Sequence, residues 1–166
     1  MFKGCRRMIR IKLNEILLIL RDNRNNLDVE SHAKFEFQQC QTVRDLQILN
    51  ESLLDSNDRQ KQFDTKIANL GGKSLQKSVA HAMITVMTDN VGAEVTWAGL
   101  KKDTVAISKL KIGELIISGI MLNKPQASEN NVQEHMKDWI RRSSQRVSAA
   151  KKRLENKNNP TNLVRD

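Results

Sequence analysis

The chain has 166 residues, of which 39% are hydrophobic, 4% aromatic and 28% charged. This length fits one domain of ordinary size, and the composition is too polar for a membrane protein and too apolar for a wholly disordered chain. Two prolines and seven glycines favour helices over turn-rich sheets, and two cysteines cannot build a disulfide framework and fit a reducing compartment. No apolar run approaches the length of about 20 residues that crossing a bilayer requires. We therefore predict an all-α, mainly helical domain without a transmembrane segment.

The net charge of +9 is distributed unevenly along the chain. Residues 1–24 carry seven basic and two acidic side chains, and residues 137–166 carry nine basic and three acidic ones. The stretch between them has twelve basic and fourteen acidic residues and is close to neutral. A neutral body with two positive ends suits a polyanionic partner: nucleic acid, an acidic protein or an anionic membrane. The alternative is that the charged ends only keep the protein soluble.

Residues 1–24 are predicted to form a basic amphipathic helix. Aliphatic residues recur at helical spacing and share one face: Ile9, Leu13, Ile16, Leu17 and Leu20. This face can dock on a partner, on a second copy or on the body of the protein itself, and a mitochondrial presequence is a less favoured interpretation. Residues 25–41, rich in polar side chains with little periodicity, are predicted to be a linker.

A helical domain is predicted from residue 42 to residue 147. The predicted N-caps are Thr42, Asn57 or Asp58, Ser74, Ser108 and Ser128. Gly71 and Gly72 are expected to end the second helix, since glycine accepts the backbone geometry of a helix C-terminus. Trp97 is expected to pin the following connection to the core. The helix after Ser108 is apolar almost all round, which predicts a central, buried position.

The last helix is expected to run from Ser128 to about Asn156, with a basic end and disordered tail over residues 148–166. Its basic residues are candidates for nucleic-acid binding: Lys137, Arg141, Arg142, Arg146, Lys151, Lys152 and Arg153. At about 100° per residue, Lys137, Arg141 and Lys152 share one sector of the helix, and the three other arginines share a neighbouring one. Such a surface would neutralise phosphates and bind less tightly as salt increases. The alternative is a solvated helix with ordinary surface cations.

An ordered series of short motifs resembles a known family. The series is Leu70-Gly71-Gly72, a helix from Ser74 to Met87, Thr96-Trp97-Ala98-Gly99, Lys109-Leu110-Lys111-Ile112, and Trp139-Ile140-Arg141 with Arg146 behind it. It resembles the uncharacterised family called Domain of Unknown Function 4806, over roughly residues 42–146. The resemblance marks Gly71, Gly72, Trp97, Gly99 and Trp139 as core or motif residues and brings no catalytic residues with it. Members often have this domain at the C-terminal end, sometimes behind a DNA-binding zinc finger, which the cysteines and histidines of this chain cannot form.

The helical order is also distantly similar to the BEN domain of chromatin proteins. Because some BEN domains bind DNA, this similarity favours a function in the nucleus, although it is an analogy of fold.

The sequence contains no motif for catalysis, a metal or a cofactor. Gly71-Gly72-Lys73-Ser74 ends like a phosphate-binding loop but lacks the upstream glycine, separated by four residues, that completes the backbone cradle. We expect a non-enzymatic nuclear module that associates with DNA, chromatin or acidic chromatin proteins. The alternative is a protein-interaction or self-association module that uses the N-terminal aliphatic face. Cytoplasm is the second choice of location, and the mitochondrion is the third.

Overall fold

The computed structural model of the protein describes residues 35–99 and 104–158. The predicted helix over residues 1–24, most of the predicted linker and residues 159–166 lie outside the described residues. The helices are α1 (Val43–Leu54), α2 (Asn57–Leu70), α3 (Leu75–Val86), α4 (Asp89–Glu94), α5 (Lys111–Asn123) and α6 (Glu129–Asn158), with a 3-10 turn at Ile107–Lys109. Within these ranges, β pairing is limited to two isolated bridges. The predicted all-α class is confirmed.

Hydroxyl side chains cap the first three helices. Thr42 Oγ1 accepts a hydrogen bond from the Asp45 N–H at 3.1 Å, and the Asp45 carboxylate accepts one from the Thr42 N–H at 2.9 Å. This reciprocal pair satisfies two backbone donors at the start of α1. Ser74 caps α3 as predicted, whereas α2 is capped by Ser56, one residue before the predicted position.

The start of α5 differs from the prediction. Ser108 does not cap it, because Ile107–Lys109 forms a 3-10 turn and the helix begins at Lys111. The cap comes from another helix: Asn50 Oδ1 on α1 accepts a buried hydrogen bond from the Ile112 N–H at 3.2 Å. A donor left free at the helix start is thus satisfied across the core.

The predicted central position of α5 is confirmed. Ile112, Ile116 and Ile120 are almost completely buried. Gly119 lets α2 approach closely, because a Cβ added there would lie 2.7 Å from Ile67 Cβ. Leu122, in the last turn of the helix, is 63% exposed.

The glycines and tryptophans of the motif series lie in turns, at close contacts between helices or in the core. Gly71 follows α2 with φ of +56°, and Gly99 has φ of +71°, a region that other residues rarely adopt. Gly72 lies against α3, where an added Cβ would be 2.6 Å from the Ser78 nitrogen. Trp97 is half-buried and Trp139 is buried in the core.

The folded body begins before residue 42, so the predicted linker boundary is wrong. The Phe37 ring stacks on Phe63 with ring centroids 5.0 Å apart. Cys40 is buried, its N–H donates to the Val86 oxygen at 2.9 Å, and its own oxygen accepts from Thr88 at 3.1 Å. Burial raises the pKa of the Cys40 thiol from 9.0 to about 11, which leaves the thiol protonated and unreactive. The sequence did not predict this packing, because the segment is short and its phenylalanines only alternate with polar residues.

One carboxylate oxygen in the interface between α2 and α5 has no partner. Ser118 donates to Asp64 Oδ2 at 3.2 Å, but Asp64 Oδ1 is buried without a hydrogen bond. Desolvation raises the pKa of Asp64, opposed by the Ser118 hydrogen bond and the charge of Lys111. An unpaired buried oxygen costs stability when the group is ionised.

We expect Asp64→Asn to stabilise the protein at pH 7, because the substituted side chain is neutral at every pH. Since the pKa of Asp64 is raised on folding, the contribution of Asp64 to wild-type stability should increase as pH falls through its folded value, and the advantage of the variant should shrink towards pH 4. Urea unfolding of both proteins at the two pH values measures this. Asp55→Asn, at the exposed end of α1, is the control. An advantage that grows on acidification would contradict the account.

Candidate functional site

The last helix has two parts with different surroundings. Ser128 caps α6 by accepting from the Asn131 N–H at 3.3 Å, and the helix then runs for 30 residues, or about 45 Å at 1.5 Å per residue. Its first part is buried against the body through Val132, Met136, Trp139 and Ile140. From Ser148 to Lys157 every residue is exposed. We call residues 148–158 the α6 extension, which is about 16 Å long.

The cations nearest the body are engaged by nearby carboxylates. Lys137 Nζ lies 2.7 Å from Glu134, and Arg141 and Arg142 both bind Asp138. The hydrogen bond from Arg141, with the nearby charge of Arg142, lowers the pKa of the Asp138 carboxyl. These pairs reduce the positive surface that the sequence predicts along this part of the helix.

Arg146 has a structural role and is a poor candidate for phosphate binding. Its Nε donates to Asp89 on α4 at 2.8 Å, and its Nη2 donates to the Trp139 oxygen at 3.1 Å and to Ser143 Oγ at 2.8 Å. The guanidinium also lies 4.4 Å from the centroid of the Trp139 ring. Three polar partners and an aromatic face fix the planar guanidinium in one orientation.

The helices α4 and α6 can approach closely at this point because residue 92 is a glycine. A Cβ at Gly92 would lie 2.5 Å from Ser143 Oγ and 2.7 Å from Trp139 Cζ3. We call these residues, Asp89, Gly92, Trp139, Ser143 and Arg146, the α4–α6 clamp. The clamp lies immediately before the α6 extension and holds the helix from which the extension projects.

The predicted seven-residue cation surface is therefore divided. Arg146 belongs to the clamp, and Lys137, Arg141 and Arg142 are paired within the body. Lys151, Lys152 and Arg153 lie in the α6 extension, exposed, and none of the carboxylates in the described ranges is within 4 Å of them.

Lys157 is not among the seven cations predicted from the sequence. It is also exposed and in the last turn of α6, where a cation suits the negative end of the helix dipole. The helix continues past its predicted end near Asn156. The basic residues within 151–157 were the sequence feature that could have placed Lys157 in the predicted set.

A groove with a mixed polar and apolar lining lies on another side of the body and has a volume of about 850 Å³. Leu54 and Leu122, both more than half exposed, line it together with Trp97 and Ile117. The charges at the groove are of both signs, and Lys111 is paired with Glu114 at 2.7 Å. The groove therefore has no charge preference comparable to that of the α6 extension.

Two features are absent from the described ranges. They contain no cluster of three or more acidic, histidine or cysteine side chains arranged to hold a metal ion. None of the helices in these ranges combines the length and apolar character needed to span a membrane.

The chain matches no family model, no curated protein and no solved structure. The resemblance to Domain of Unknown Function 4806 and to BEN domains therefore stays a prediction.

We expect Arg146→Gln to lower the free energy of unfolding by about 2 kcal/mol, since it removes charged hydrogen bonds to half-buried partners. Arg141→Gln, which breaks an exposed pair on the same helix, should cost about 0.5 kcal/mol or less. Urea denaturation followed by circular dichroism measures both. Equal losses for the two variants would show that Arg146 is an ordinary surface cation.

Proposed function

We propose that the protein is a non-enzymatic module that docks on nucleic acid, as DNA or within chromatin, through the cations of its α6 extension. The observation that supports this most is a projecting helix end with four exposed cations: Lys151, Lys152, Arg153 and Lys157. Glu155 is the one carboxylate within residues 148–158. This leaves a local charge of +3 on a segment whose cations have no carboxylate within 4 Å in the described ranges.

The proposed role is binding because unpaired cations neutralise phosphates without transforming them. Each contact releases counterions from the nucleic acid, so affinity falls as salt concentration rises. Clamped cations contribute less, because Arg146 would have to leave Asp89 and the Trp139 carbonyl to reach a phosphate.

We expect the full-length protein to bind duplex DNA with a salt dependence to which the extension contributes about four phosphates. Replacing all four extension cations by Gln should reduce the slope of log K against log salt by about 3.6, at about 0.9 per phosphate. Fluorescence anisotropy with a labelled duplex at several salt concentrations measures the slope.

The control for that titration removes charge elsewhere on the body. Lys73 and Lys77 are exposed at the start of α3. The double variant Lys73→Gln with Lys77→Gln should retain the contribution of the extension to the slope of log K against log salt. The proposal fails if wild-type protein does not bind DNA at low salt, or if the fourfold variant retains the wild-type slope.

We further propose a nuclear location, on the basis of the two basic clusters at Arg141-Arg142 and Lys151-Lys152-Arg153. A fluorescent fusion of the full chain tests it. Exclusion of the fusion from the nucleus would contradict this location.

The second proposal is self-association or partner binding through the aliphatic face of residues 9–20. It is supported by the helical spacing of Ile9, Leu13, Ile16, Leu17 and Leu20, all of which lie outside the described residues. Light scattering of the full chain against a chain that starts at Asn25 tests it. A higher mass for the full chain alone supports self-association, and monomers in both cases contradict it.

A further inference from the structure

The exposed cations of the α6 extension lie on two sides of the helix. At about 100° per residue, the midpoint of Lys151 and Lys152 is separated from the midpoint of Arg153 and Lys157 by about 170° around the axis. Exposure of all four residues agrees with this distribution, since nothing in the described ranges covers either side. The charge therefore surrounds the extension.

Opposed cations limit the shape of the partner. A flat anionic membrane or a single acidic helix meets one side of a helix and would leave the other cation pair in solvent. A helix in the major groove of B-DNA has a phosphate backbone along each flank. The groove is about 12 Å wide, and a helix with its side chains is about 10–12 Å across.

We propose that the α6 extension inserts into the major groove of duplex DNA, with Lys151 and Lys152 towards one backbone and Arg153 and Lys157 towards the other. This inference rests on the proposed function and gives it a specific partner. Duplex RNA fits less well, because its major groove is deep and narrow. Single-stranded bases fit less well too, because residues 148–158 contain no aromatic side chain for stacking.

The orientation of the extension follows from the side of α6 that the body occupies. The buried residues Val132, Met136 and Ile140 point in the same direction around the axis as Leu154. Asn156 lies on the side opposite Leu154 and is exposed, whereas Ala149 lines a pocket with Gln76 and Ala80 of α3 and so lies beside the body. Insertion with Asn156 towards the bases keeps the side of Leu154 out of the groove and places an amide side chain near base edges, the kind of group that contacts adenine.

Two double variants of the full chain test the two-sided arrangement. One is Lys151→Gln with Lys152→Gln, and the other is Arg153→Gln with Lys157→Gln. If the helix lies in the groove, each variant should lower the salt slope on duplex DNA by about 1.8, because each removes two phosphate contacts. A loss confined to one pair would overturn the proposal and indicate a one-sided surface.

Competition with small groove binders tests the groove directly. Methyl green, which occupies the major groove, should displace the wild-type protein, and netropsin, which occupies the minor groove, should not. Displacement by netropsin alone would overturn the proposal, as would resistance to both compounds. Absence of any DNA binding would instead overturn the proposed function, so the two failures are distinguishable.

A variant that is expected to bind more tightly controls for loss of affinity caused by unfolding of the helix in the Gln variants. Glu155 lies on the same side as Lys151 and Lys152 and would face the same phosphate backbone. Glu155→Gln should tighten binding to duplex DNA several-fold at low salt while circular dichroism shows the helix retained. Unchanged or weaker binding by this variant, with the helix intact, would contradict insertion.

Discussion

The position of the last helix depends on the α4–α6 clamp. Arg146 reaches from α6 to Asp89, which is 57 residues earlier in the chain, and at the same time holds the carbonyl of Trp139 and the hydroxyl of Ser143. Gly92 makes this geometry accessible, because any side chain there would displace Trp139 or Ser143. A charged group is used here inside the fold, where its planar shape and several donors matter more than its net charge.

The clamp also marks the point at which the role of the basic residues changes. Before it, the cations of α6 are paired with carboxylates of the same helix, and such exposed pairs contribute little stability individually. After it, four exposed cations lie in a helix segment whose residues 148–157 are all exposed. A helix end of this kind is marginal alone and gains stability from any partner that neutralises its charge. The proposed binding surface is therefore smaller than the seven residues predicted from the sequence, and it includes Lys157.

Much of the fold follows from local rules that can be read in the sequence. Thr42 and Ser74 cap helices as predicted, and the apolar circumference of the helix at residues 111–123 predicts its central position. The helix α4 was not predicted, because six residues that include Gly92 carry no usable periodicity. The packing of Phe37 and Cys40 depends on contacts with Phe63 and Val86, which are distant in sequence. The role of Arg146 was missed for the same reason: its partner Asp89 is on another helix, and sequence spacing shows only neighbours on the same one.

Hydrogen exchange measured along α6, with and without duplex DNA, tests most directly whether the clamp separates a structural part from a binding part. In the free protein, amides around Met136 and Ser143 should exchange slowly and those of residues 148–158 rapidly, because only the former lie in the packed body. Added DNA should slow exchange in the extension and leave the packed body unchanged. Uniform exchange along the whole helix, or protection by DNA that appears in the body and not in the extension, would contradict the account.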